Sequence, residues 1–300
     1  MPPLAPMTPV AQSAPERLRT LLVGEGCLAM PCCFDALSSR LIEQAGFPLS
    51  FMSGFAVSAA RLALPDTGLT TVTEMLDHGR SICQAVTIPV IADGDTGHGN
   101  PANVRRTVTQ FGLAGFAGVM IEDQLAPKRC GHTGVKYVVE RAEAVARIRA
   151  AVDARDAGAG TLIMARTDAR SALGLEEALW RLAAFADLGA DILFLEAPRD
   201  ESEMARACRQ VPGVHVANML EGGLTPILPP ARLAELGYRI AAYPLTLLAA
   251  AVAAMTDALQ ALAAGRMPER QVDFATLRGI LGFDAYDRLL EQYATPVGGP

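Results

Sequence analysis

Lys128-Arg129-Cys130-Gly131-His132 sets a thiol among two cations, a glycine and a histidine, a few residues past the acidic triplet Glu122-Asp123-Gln124. Positive charge stabilises a thiolate, so a cysteine placed there can trade a proton or attack an electrophile near neutral pH. Gly131 lets the backbone bend and move, as a loop closing over a substrate requires. The same five residues would also serve as a plain solvated basic turn. The positions of the other polar residues decide between the two.

Asp93-Gly94-Asp95-Thr96-Gly97-His98-Gly99 is an acidic, glycine-rich loop. Two carboxylates joined by glycine can turn toward one cation, and a small number of hard oxygen ligands suits Mg²⁺ or Mn²⁺. Asp66 and Glu122 are further oxygen donors; the plain alternative is a strand-end turn. His98 offers a single nitrogen, which does not suggest zinc. Arg166, in Met164-Ala165-Arg166-Thr167-Asp168, ends an apolar run. Its guanidinium either pairs with Glu196 or another carboxylate or forks onto a substrate carboxylate, and the two are compatible. Asn218 can donate its amide to a substrate oxygen or serve as a turn residue.

These groups need a scaffold that brings them together. Short apolar runs recur at 28–31, 48–52, 88–92, 117–121, 161–165, 191–195, 214–217 and 238–242. They read as eight strands, separated by helical patterns such as 103–112, 141–157, 176–188, 201–210 and 230–236. Gly46, Gly189 and Gly237 stand where helices should end in a left-handed cap. Continuously apolar strands alternating with helices predict a parallel sheet buried on both faces, and eight units predict a closed (β/α)8 TIM-type barrel. An open doubly wound sheet is the other arrangement, but no G-x-G-x-x-G follows the first strand. In a barrel the residues just past the strands share one face. There stand Ser53 and Gly54, Asp93 and Asp95, Glu122, Arg166 and Asp168, Glu196, and Asn218. An ionisable or amide group after nearly every strand predicts an enzyme.

Composition agrees. The 300 residues are 51% hydrophobic and 19% charged, which suits one large core. A formal net charge of -6 argues against nucleic-acid or anionic-membrane partners, though not against a small anionic substrate. The six cysteines show no disulfide or zinc-ribbon spacing, and adjacent Cys32 and Cys33 read as buried reduced thiols. With no signal-peptide pattern, a reducing cytoplasm is expected. Residues 1–15 are expected to be disordered, 16–293 to form a single barrel domain with a C-terminal helical extension, and 294–300 a tail. The apolar stretch 240–264 matches a membrane span in length, but Pro244, Asp257 and its many alanines predict a buried, tightly packed helix instead.

Ser53-Gly54, Pro65-Asp66-Thr67-Gly68, Asp93-Gly94-Asp95-Thr96-Gly97, Glu122-Asp123-Gln124, Lys128-Arg129-Cys130-Gly131-His132, Ala165-Arg166-Thr167-Asp168 and Glu196-Ala197-Pro198 together resemble the isocitrate lyase/phosphoenolpyruvate mutase superfamily, from about residue 31 to 255. The resemblance implies a barrel that binds Mg²⁺ and small α-oxyacids, commonly as a homotetramer with the last helix swapped between neighbours. It assigns Asp93 and Asp95 to the metal, with Asp66 and Glu122 nearby. Ser53, Gly54, Phe55, Gly131, Arg166 and Asn218 would surround the substrate, with Glu196 supporting the site.

Lys-Arg-Cys-Gly-His resembles the carbon–carbon lyase branch, whose thiol protonates the leaving carbanion; the phosphonate-forming mutases and the decarboxylating branch look different there. Cys130 is then the general acid, with Lys128, Arg129 and His132 supplying charge. Ser53-Gly54-Phe55 departs from the Ser-Gly-Gly of 2-methylisocitrate lyases, and Ala249 stands where those enzymes carry an arginine. Asn218-Met219-Leu220-Glu221-Gly222-Gly223 and Glu196-Ala197-Pro198-Arg199-Asp200 look like the 2,3-dimethylmalate lyase, petal death protein and oxaloacetate hydrolase group. The expected activity is Mg²⁺-dependent cleavage of an alkylmalate-type 2-hydroxy dicarboxylate into a 2-oxo acid and a short carboxylate. Oxaloacetate hydrolysis, 2-methylisocitrate cleavage and a non-catalytic binding role on a retained barrel are the alternatives. Asp66, Glu122 or a metal-bound water could act as base, and Phe51 stands where some relatives offer a tyrosine.

Overall fold

The computed structural model describes residues 12–128 and 136–293. Eight strands follow in order: β1 (Leu28–Cys33), β2 (Ser50–Met52), β3 (Val90–Asp93), β4 (Gly118–Glu122), β5 (Leu162–Thr167), β6 (Ile192–Leu195), β7 (His215–Asn218) and β8 (Tyr238–Tyr243). All pair in parallel with their sequence neighbours, and β8 pairs with β1, which closes the barrel. Each expected strand is present, displaced at its ends by at most a few residues.

One buried cluster takes Met30 and Cys32 from β1, Phe51 from β2, Ile91 from β3 and Met120 from β4, and continues with residues from each of the other four strands. Residues contributed by every strand can meet only inside the barrel, and they do so at alternate positions because strand side chains alternate faces. The intervening residues, among them Cys33, Met52, Ala92, Val119 and Ile121, join a second cluster with the surrounding helices. Gly46, Gly189 and Gly237 have φ of 86°, 89° and 103°, the left-handed conformation expected of them.

Two expectations need correction. Helix Ala14–Leu22 begins inside the stretch expected to be disordered. Ser13 and Glu16 form a reciprocal capping box, Pro15 suits the first turn, and Leu18 and Leu22 join the barrel-interior cluster. Residues 1–11 and 294–300 lie outside the described residues.

The described residues form two compact units, divided between Leu248 and Ala249. The apolar stretch 240–264 divides into the end of the barrel and helix Thr246–Ala263, of whose residues only Ala261 is buried. That helix is long and apolar enough to cross a membrane, but it is not the buried core helix expected. In the second unit, helices Phe274–Leu281 and Phe283–Gln292 bury no residue and expose Phe274, Leu277, Tyr286 and Leu289. Apolar composition records that a face needs covering; it does not record what covers it.

Candidate active site

The loops after the strands enclose a cavity whose floor is made by the barrel-interior residues Met30, Cys32, Phe51, Met120, Met164 and Phe194. Nine expected residues line it: Ser53, Phe55, Asp66, Asp93, Glu122, Lys128, Arg166, Glu196 and Asn218. Gly54 and Asp95 join through direct contacts to lining residues. Arg129, Cys130, Gly131 and His132 lie outside the described residues.

Asp93, the last residue of β3, accepts hydrogen bonds from the backbone N–H of Gly54 to Oδ2 (3.2 Å) and of Asp95 to Oδ1 (3.0 Å). A Cβ at position 54 would lie 2.6 Å from Asp93 Oδ2, so glycine there leaves the carboxylate in place while any other residue would push it aside. At Gly94 a Cβ would meet the Met120 carbonyl oxygen at 2.6 Å, so the β3 loop can lie against β4 only without a side chain. Asp95 takes a left-handed φ of 51°. That conformation is uncommon outside glycine, asparagine and aspartate.

The Lys128 ammonium joins two loops. Nζ lies 2.8 Å from Asp66 Oδ1 and also contacts Asp95 Oδ1. The resemblance gave Lys128 a role in charging the thiol loop, whereas its side chain here meets the acids expected to hold metal. Burial opposes its charge, but Asp95, Asp93, Asp66 and Glu122 hold its pKa well above the usual lysine range. Burial pushes Asp95 up to about 7, against the pull of Lys128 and with Asp93 and Asp66 adding to the rise. Burial likewise raises Glu122 well above the carboxylate range.

Across the mouth, Arg166 is held by three carboxylates. Nε and Nη2 fork onto Asp168 at 2.8 and 3.0 Å, Nη1 lies 3.1 Å from Glu196, and Nε lies 3.4 Å from Glu122. Strand register explains part of this, since Glu122 pairs with Arg166 across β4 and β5. Asn218 donates from Nδ2 to Glu196 at 3.3 and 3.4 Å. Ser53 Oγ accepts from the Ala56 N–H and caps helix Gly54–Leu62.

Sequence reading passed over the support beneath these residues. Lys136 reaches Asp168 at 3.2 Å, and Asp123 accepts from Thr167 Oγ1, the Asp168 N–H and Arg181. Charged residues inside apolar helical patterns, such as Arg181, were the available signal. Leu220, Pro244 and Leu245 form an apolar wall with Phe55. Nothing in their local sequence marked the two leucines as cavity residues.

The donor set suits a divalent cation of the Mg²⁺ type. Glu122 Oε1 is buried without a hydrogen-bond partner, and the site gathers six carboxylates (Asp66, Asp93, Asp95, Glu122, Asp168, Glu196) against three cations (Lys128, Lys136, Arg166). Among the described residues, no three His, Cys, Asp or Glu side chains form a ready-made cage. Mg²⁺ does not need one, because it binds through one or two carboxylates and completes its shell with water and substrate. A dianionic substrate also needs added positive charge to enter so acidic a cavity.

The phosphoenolpyruvate phosphomutase family model matches residues 18–263. The chain is 42% identical over 284 residues to 2,3-dimethylmalate lyase of Eubacterium barkeri, covering 93% of this chain and 98% of that protein. It is 39% identical to the chloroplastic carboxyvinyl-carboxyphosphonate phosphorylmutase of Arabidopsis thaliana, over 93% of this chain and 84% of that protein. Among solved structures, oxaloacetate acetylhydrolase bound to the inhibitor 3,3-difluorooxalacetate superposes with a TM-score of 0.91 at 32% identity, over 95% of this chain and 99% of that one.

Proposed function

This chain belongs to the phosphoenolpyruvate mutase/isocitrate lyase superfamily of lyases and mutases, and from that premise we propose that it is a Mg²⁺-dependent carbon–carbon lyase acting on an alkylmalate-type 2-hydroxy dicarboxylate. One observation carries the reading. A cation-seeking acid cluster, an arginine and an apolar wall of Phe55, Leu220, Pro244 and Leu245 line the same cavity. That combination suits a small acid with alkyl substituents better than one with a third carboxylate.

Asp93 and Asp95 would hold Mg²⁺, with Asp66 and Glu122 beside them; Mn²⁺ can substitute. When bound, the metal lowers the pKa of a coordinated hydroxyl. Ser53, the Gly54 region, Arg166 and Asn218 orient the 2-hydroxy acid, and Glu196 fixes Arg166 and Asn218. Asp66 or Glu122 takes the hydroxyl proton. The C2–O electrons form the 2-oxo group as the C2–C3 bond breaks. Its electron pair passes to C3, where Cys130 delivers a proton and the short carboxylate leaves. Arg129 and His132 offset the charge of that departing anion.

The protein works in the cytoplasm as a homotetramer, and a swap of C-terminal helices between copies would cover the apolar faces of the second unit.

The test incubates purified protein and Mg²⁺ with 2,3-dimethylmalate, ethylmalate, citramalate, oxaloacetate and 2-methylisocitrate, following 2-oxo acid and oxalate. Alkylmalate turnover above the rest supports the proposal. Oxalate from oxaloacetate as the dominant product overturns it in favour of a hydrolase.

A further inference from the structure

The groups around Lys128 are arranged as a divalent ion would arrange them. A single buried cation, 6% exposed, joins carboxylates from two separate loops, Asp66 after helix Gly54–Leu62 and Asp95 after β3. An ammonium has three donors and no acceptor, so it can satisfy several carboxylate oxygens at once. On the reading that this cluster takes Mg²⁺, we infer that Lys128 is the resident counter-ion of the metal-free site, and that metal enters by exchange with its ammonium.

Two physical arguments support the exchange. First, the positions are shared. Nζ is 2.8 Å from an Asp66 oxygen and touches Asp95 Oδ1, so a metal bound to either acid would sit within a few ångströms of the ammonium. Like charges that close repel strongly in a buried site. Second, the carboxylates need a cation in either state. Asp66 and Asp95 both contact the ammonium, and in the same cavity Glu122 Oε1 is buried without a hydrogen-bond partner. With the lysine withdrawn and no metal present, buried carboxylates would face one another uncompensated, a costly arrangement.

The exchange has a consequence for the reaction. Metal loading frees a lysine at the mouth of a cavity that must admit a dicarboxylate. The ammonium that neutralises the apo site is then available to the substrate's second carboxylate. Positive charge at the substrate would therefore be delivered only after the metal is in place, giving an ordered assembly of metal first and substrate second.

The test measures metal binding directly. Full-length wild type, Lys128→Met and Lys128→Gln are stripped with EDTA, dialysed and titrated with Mg²⁺ by calorimetry, and their melting temperatures are followed against Mg²⁺ concentration. Both variants should bind Mg²⁺ roughly ten- to a hundredfold more tightly than wild type, since no ammonium has to be displaced. They should melt lower than wild type without metal and gain more from it. A variant that folds only when Mg²⁺ is added supports the exchange equally. Equal or weaker Mg²⁺ binding by both variants, beside a wild type that binds, overturns the exchange and leaves the metal site standing. No saturable binding by any of the three rejects the metal reading itself.

Discussion

Arg166 Nη1 stands 3.1 Å from Glu196 Oε2, an ion pair between the ends of β5 and β6 in which Glu196 is completely buried. The same glutamate accepts the Asn218 amide, so two groups proposed to hold substrate are oriented by one carboxylate that is inaccessible to solvent. Removing the guanidinium leaves Glu122, Asp168 and Glu196 short of a partner. Arg166→Ala should therefore lose roughly 3–5 kcal/mol of stability, read from chemical denaturation. Arg166→Lys keeps the charge but loses the fork onto Asp168, and should fold while turning over at least tenfold more slowly.

Metal dependence should be complete. EDTA should abolish turnover and Mg²⁺ or Mn²⁺ restore it. Asp93→Ala should remain folded by circular dichroism yet be inactive, since the change removes an acceptor from only two backbone N–H groups, those of Gly54 and Asp95. Full activity in excess EDTA would sink the assignment of Asp93 and Asp95.

Every described cysteine is a poor nucleophile at neutral pH. Burial raises Cys27 to about 11 and Cys33, Cys83 and Cys208 to about 12, and lifts Cys32 well above the thiol range. Iodoacetamide should thus label Cys130 first, and peptide mapping after partial inactivation would show whether it does. Cys130→Ser should reduce turnover by about 10²–10⁴, the usual worth of a positioned acid, with little change in substrate affinity. Near-normal turnover would remove the thiol from the mechanism.

Phe55 lines the cavity, and among the described residues lining it the only cations are Lys128 and Arg166, so a third carboxylate finds no further partner there. Methylisocitrate should bind roughly ten- to a hundredfold more weakly than dimethylmalate, the cost of one missing ion-pair partner. Phe55→Gly should shift the ratio of kcat/KM values toward the larger acid. An unchanged ratio would show that Phe55 does not set size.

Far from the site, His215 is buried, and its Nε2 donates to the Val211 carbonyl at 2.7 Å. Burial lowers its pKa below 6.5, and the Val211 bond only partly opposes this. The unfolded chain then binds more protons than the folded one as pH falls below about 6.5, so stability drops through the depressed folded pKa. His215→Gln should flatten that acid limb in melting curves between roughly pH 6.5 and 5. Parallel limbs would mean that His215 does not contribute to it.

Much of the barrel was legible in the amino-acid order, because a strand buried on both faces must be apolar throughout, and β4 and β5 read that way. The position of Asp93, Glu122, Arg166 and Asn218 at strand ends followed from the same runs, since parallel strands bring their ends to one face. The left-handed caps at Gly46, Gly189 and Gly237 were readable because a local backbone rule places glycine there. Partnership was not readable. That Lys128 meets Asp66 and Asp95, that Arg166 holds three acids at once, and that Leu220 and Leu245 wall the cavity all depend on distances between loops remote in sequence, which only the closed barrel sets. The helix Thr246–Ala263 shows the same limit from the other side. Its apolar sequence determines that it needs covering, while tertiary structure decides which of its residues are buried, Ala261 alone.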